Sequence, residues 1–76
     1  MYIHIGENKV VRDKDILAIF DMDSATVSSV TKKYLSNAQK EGRVKMLGFD
    51  LPRTFIIMKN KTVYLSTYRF SRMMEN

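Results

Sequence analysis

Seventy-six residues, 45% of them hydrophobic, carry 13 Lys/Arg against 8 Asp/Glu for a net charge of +5, with one Pro and no Cys. That composition is too apolar for a disordered chain and offers no thiolate for a disulfide or a zinc site; at this length it makes one domain over residues 1–76, with a core small enough that oligomerisation is the natural support. The charge is lopsided, since residues 32–76 hold ten Lys/Arg and three acids while residues 1–31 hold three and five, so a polyanion is the first partner to consider.

Tyr2, Ile3, His4 and Ile5 alternate with a period of two, which sets Ile3 and Ile5 on one strand face before Gly6 opens a turn. Residues 9–12 resume a short strand around Val10 and Val11, and Asp13, Lys14 and Asp15 form a polar turn. Residues 16–20 are apolar throughout, the pattern of a strand covered on both faces, and are expected at the centre of a sheet. This is also the longest apolar run, far below the roughly 20 residues that a membrane span needs, and no charged segment followed by an apolar one opens the chain. A cytoplasmic location without a membrane partner is expected.

Asp23 or Ser24 can accept a hydrogen bond from the free N–H groups that begin a helix. Val27, Val30, Tyr34, Leu35 and Ala38 then recur at helical spacing as a core stripe, with Ser29, Lys33, Ser36 and Lys40 opposite, which predicts one helix of roughly four turns. Gly42 is placed to close it in the left-handed conformation. Residues 43–47 read as a short strand and 48–52 as a loop in which Pro52 denies a ladder donor. Residues 55–58 and 62–67 read as a hairpin across Lys59, Asn60 and Lys61, with Asn60 the residue most tolerant of positive φ. Residues 68–74 read as a short helix with Phe70, Met73 and Met74 on an apolar side. The fold class is α+β: a small antiparallel-rich sheet with one long helix and a short C-terminal helix. Two strands are apolar on both faces and a single long helix can cover only one, so a second copy of the chain is expected on the other, which makes a homo-oligomer.

Chemistry finds few residues to work with. His4 is the sole histidine, the carboxylates Asp13, Asp15, Asp21 and Asp23 lack the Gly and Glu spacing of a calcium loop, and Gly6, Gly42 and Gly48 are too dispersed to cradle a phosphate. No enzyme, catalytic residue, metal, cofactor or small-molecule substrate is expected. The basic residues carry more. Arg43, Lys45 and Arg53 flank the 48–52 loop, and arginine's planar fork matches two phosphate oxygens at once; the same charges could equally guard an exposed edge strand against aggregation. Lys59 and Lys61 read as solubilising residues, and residues 68–72 interleave aromatics with arginine as single-strand binders do. One long helix excludes a helix-turn-helix or homeodomain, and neither an RNP1 string nor a GXXG loop is present. Double-stranded DNA would have to be held by strands and loops of several copies together.

The opening Met1-Tyr2-Ile3-His4-Ile5-Gly6, with Val10-Val11 and the run Ile16-Leu17-Ala18-Ile19-Phe20-Asp21, continues through Lys40-Glu41-Gly42, Phe55-Ile56-Ile57 and Val63-Tyr64-Leu65-Ser66. This order resembles the bacterial extracellular matrix regulatory proteins of the RemA/RemB family over nearly the whole chain, and the opening is most similar to the RemB branch. The resemblance implies a cytoplasmic DNA-binding transcriptional regulator of biofilm and extracellular matrix genes, assembled into a closed ring whose basic loops make many weak phosphate contacts. The three arginines that the RemA branch implies as DNA contacts fall here on Asp15, Asp50 and Leu51, none of them basic. Arg53 matches a further family arginine, and Arg12 and Lys14 lie beside the first of the replaced positions. The expected DNA-binding residues are Arg12, Lys14, Arg43, Lys45 and Arg53. A second reading stays open: an oligomeric interaction or scaffold protein whose basic face meets an acidic protein partner.

Overall fold

A computed structural model describes residues 1–25 and 28–74, with the side chains of Ser24 and Ala25 left aside. Strands β1 (Tyr2–Gly6) and β2 (Lys9–Arg12) form an antiparallel hairpin with Ile3 opposite Val11. The alternation of Ile3 and Ile5 is realised: both are buried with Val11, and they pack down onto a second sheet. That sheet has four strands in the order β3 (Ile16–Asp21), β5 (Thr54–Met58), β6 (Val63–Ser66), β4 (Val44–Leu47), antiparallel except for the β4–β6 pair. With helices α1 (Met22–Ala25), α2 (Ser29–Lys40) and α3 (Phe70–Met73), the architecture is α+β.

All five residues of β5 are buried. Ile56 and Met58 meet the β1–β2 hairpin with Met73 of α3, while Phe55 and Ile57 meet Ala38 of α2 beside Val63. The hairpin therefore covers the sheet face that the sequence pattern assigned to another copy. A two-residue turn folding back is enough to lay three apolar side chains over the strand, and the geometric need for a partner there disappears.

The strand expected at the centre, β3, lies at an edge. Its register slips between Ile16 and Ala18, so Ile16 and Ile19 both face the hairpin layer and the extra residue Leu17 is 65% exposed. A bulge of this kind puts two residues against one on the partner. It absorbs an unbroken apolar run without requiring cover on both sides.

The helical segment is shorter than four turns. Ser28, in extended backbone, accepts from Thr31 N at 3.4 Å and caps α2, while Asp21 Oδ1 accepts from Asp23 N at 2.9 Å ahead of α1. Ala38 is buried and Tyr34 and Leu35 half-buried as the stripe requires, but Val30 is 77% exposed over the β3 edge; Val27 lies outside the described residues. The helix closes as expected: Gly42 has φ +72, Gly42 N–H donates to Gln39 O and Arg43 N–H to Ala38 O, the paired bonds of a Schellman motif. In the β5–β6 turn the positive φ falls on Lys61 (+76), not Asn60, because Asn60 Oδ1 instead accepts from Thr62 N at 3.0 Å. In α3 only Met73 is buried, and Phe70 and Met74 are exposed.

Candidate nucleic-acid interface

β6 marks two ends of the sheet. Val63 N–H donates to Arg43 O at its start, and Arg53 N–H to Ser66 O at its finish, about 10 Å away along four residues. The first is the turn end, beside residues 59–62; the second is the loop end, beside residues 48–53.

At the turn end, Lys59 N–H donates to Asp15 O at 2.8 Å and draws the β5–β6 turn against the 3-10 turn Asp13–Asp15. Between them and the edge of β2 opens a cavity of about 610 Å³ whose walls include Lys9, Arg12, Lys59, Tyr2 and Tyr64, with Asp15 as its one carboxylate. Lys9 Nζ lies 5.2 Å from the Tyr64 ring centroid. Lys45 is in register with Tyr64 on the neighbouring strand and exposed, so it stands on the same sheet face. Lys14 is exposed in the adjoining 3-10 turn, and Asp13 is paired with the N-terminal amine at 3.5 Å. The positive charges outnumber the negative ones here, and Arg12, Lys14, Lys45 and Lys59 are exposed.

Arg43 lies at the same end but is committed elsewhere. Its guanidinium binds Glu41 (Nη2 to Oε1 2.6 Å, Nε to Oε1 2.8 Å), donates to Lys61 O at 2.7 Å and sits 5.7 Å from the Tyr34 ring centroid. Hydrogen bonding to Glu41, then to Tyr34, raises its pKa further above the ordinary arginine value. The side chain ties the end of α2 to the β5–β6 turn.

The loop end holds Arg53, Arg69 and Arg72. Arg53 and Arg69 line a cavity of about 180 Å³ with Asp21 and Asp23, and Arg53 and Arg72 line one of about 430 Å³ with Asp50 and Leu51. Arg72 Cζ stacks 3.9 Å from the Tyr68 centroid, and Tyr68 meets His4 edge-on at 5.3 Å. His4 Nε2 donates to Glu7 O at 2.6 Å. Cations and carboxylates are interleaved in this corner.

Of the five expected residues, the fold thus places Arg12, Lys14 and Lys45 around the turn-end cavity, locks Arg43 beside it, and sends Arg53 to the opposite end. Lys9 and Lys59 join the group. Neither carries a spacing signal, because the hairpin's fold over the sheet is what brings them together. Among the described residues no set of three or more His, Asp or Glu is gathered for a metal, and no helix is long and apolar enough to cross a membrane.

These features define a small α+β protein with one predominantly basic end. Residues 2–75 match the family model described as RemA-like, Extracellular matrix regulatory protein A-like, and the chain belongs to that family of matrix regulatory proteins. No curated protein matches it.

Proposed function

We propose that this chain is a cytoplasmic, non-enzymatic DNA-binding transcriptional regulator of biofilm and extracellular matrix genes, of the RemB branch, acting as a ring-like homo-oligomer. The observation that carries the reading is the convergence of Lys9, Arg12 and Lys59 on one cavity opposed by Asp15 alone, with Lys14 and Lys45 exposed around it. Such a cluster supplies the phosphate contacts that dominate DNA affinity. One subunit offers only a few, and an assembly multiplies them. Each neutralised phosphate releases counterions, giving a slope in log K against log salt of about −0.9 per contact. A gel-shift titration against duplex DNA at about 50 mM salt, where such contacts are strong, shows a complex that weakens steeply as salt rises; absence of any complex there refutes the reading.

A second reading is favoured by the loop end, where Phe49, Leu51 and Phe70 are exposed beside Arg53, Arg69 and Arg72. Exposed aromatics mixed with arginine are typical of protein interfaces. On this reading the chain is an oligomeric scaffold that binds an acidic protein, and reversing Arg53 and Arg69 to Glu abolishes a protein complex while DNA affinity stays unchanged.

A further inference from the structure

Gripping a duplex by its backbone calls for cations on an outer surface and makes no use of the rest of the turn-end cavity. The volume of about 610 Å³ falls within the roughly 300–1,000 Å³ of small-ligand pockets. Met58, buried, and Val10, half-exposed, give its wall an apolar part. At one end of β2, Lys9 Nζ lies 5.2 Å from the Tyr64 ring centroid. At the other, Arg12 is in register with Tyr2, which is 71% exposed. Each end of the strand thus sets a cation beside an aromatic ring. Lys9 is half-buried, and among the described residues no carboxylate pairs with Lys9, Arg12 or Lys59. A cation partly withdrawn from water without a counter-charge favours an anion brought in beside it. β2 is paired only with β1, so its other edge keeps backbone N–H groups without a strand partner. Two further polar groups complete the lining. Asn60 Oδ1 accepts from Thr62 N, which leaves the amide N–H groups to donate, and Asp15 keeps a carboxylate to accept.

We propose that this cavity binds a small phosphate ester carrying one planar aromatic group, a mononucleotide in size and chemistry. The phosphate goes to the cations, with the planar fork of Arg12 taking two of its oxygens. The base stacks on Tyr2, and its polar edge finds a donor in Asn60 and an acceptor in Asp15. Repulsion between the Asp15 carboxylate and the phosphate favours this orientation over the reverse. Duplex DNA leaves the tyrosines unused, because its bases are stacked inside the helix and present only their groove edges and phosphates to a protein. A ligand held here neutralises the cations that would grip DNA, so it competes with the duplex. That competition rests on the DNA-binding reading above, whereas the ligand site does not.

Calorimetric titration of the full chain with inorganic phosphate, and with each of the common ribonucleoside 5′-monophosphates, tests the site without DNA. At least one nucleotide is expected to bind about fivefold or more tightly than phosphate, the ratio that one stacked base supplies. Tyr2→Ala, at a largely exposed position, should abolish that advantage and keep the affinity for phosphate. Arg12→Gln, also exposed, should weaken both ligands. Circular dichroism checks that the variants are folded. Nucleotides that bind no more tightly than phosphate overturn the site, as does a nucleotide affinity that Tyr2→Ala leaves untouched. Competition is read separately by gel shift, where the tightest nucleotide at about ten times its Kd should lower duplex affinity about tenfold. An unchanged duplex affinity overturns the competition. A chain that forms no DNA complex at all removes the DNA reading and the competition with it, and the calorimetry still decides the ligand site.

Discussion

The two ends of β5 and β6 present their cations in different company. Around the turn-end cavity Lys9, Arg12 and Lys59 face one carboxylate, Asp15, whereas at the loop end Arg53, Arg69 and Arg72 share their cavities with Asp21, Asp23 and Asp50. The field that attracts a polyanion depends on the sum of charges, so the first surface keeps more of its attraction than the second. A count of lysines and arginines along the chain cannot separate these cases. What separates them is which acids the fold brings alongside.

The largest effect expected from this difference is on DNA affinity. Reversing Arg12 and Lys59 to Glu removes two contacts and adds two repulsions per subunit. Hydrogen bonds to charged groups are worth about 1.5–3 kcal/mol each, about tenfold or more per contact, so the double variant loses at least about a hundredfold in a gel shift. A loss below tenfold would place the DNA elsewhere. Next in size is a change that loosens both ends together. Phe55, 1% exposed and stacked on Phe20, belongs to the strand they share, and Phe55→Ala is expected to cost about 3–5 kcal/mol of stability in urea unfolding.

Arg43→Met sharpens the comparison within the turn end itself. Charge counting predicts weaker DNA binding, but the guanidinium is already held by Glu41 and the Lys61 carbonyl. The expected result is a lowered melting temperature, by less than Phe55→Ala causes, with DNA affinity unchanged. The smallest effect belongs to the loop end: Arg53→Glu with Arg69→Glu should shift DNA affinity by less than about threefold, since carboxylates already offset these cations.

Much of this fold is legible in the sequence, and the reasons are local. Ile3 and Ile5 declare their buried face by alternation, Gly42 closes α2 with the left-handed turn its position calls for, and the apolar side chains of β5 are covered on both faces. The placement of β3 was not legible. Five consecutive apolar residues carry no phase, so the slip at Leu17 that turns Ile16 and Ile19 to one side leaves no trace in the pattern. The start of α2 was displaced for a related reason: Asp23, Ser24 and Ser28 can all cap, and only packing chooses among them.

The basic surface was half legible. Arg12 and Lys14 stand out beside the polar turn, but Lys9 and Lys59 come from opposite halves of the chain and meet only because the hairpin lies over the sheet and Lys59 N–H reaches Asp15 O. The bond from Arg43 to the Lys61 carbonyl was not legible, because the two residues lie eighteen positions apart. Val30 looked like core because helical spacing says which residues share a face, and nothing about how far the sheet beneath them extends.

The central claim, that the turn end grips DNA, is tested most directly by the salt dependence of duplex binding for three proteins: wild type, the Arg12→Glu/Lys59→Glu variant and the Arg53→Glu/Arg69→Glu variant. With a slope of about −0.9 per neutralised phosphate, the turn-end variant should lose about two contacts' worth of slope for every subunit that touches the duplex, while the loop-end variant keeps the wild-type slope. A turn-end variant with the wild-type slope, or a loss confined to the loop-end variant, would contradict it.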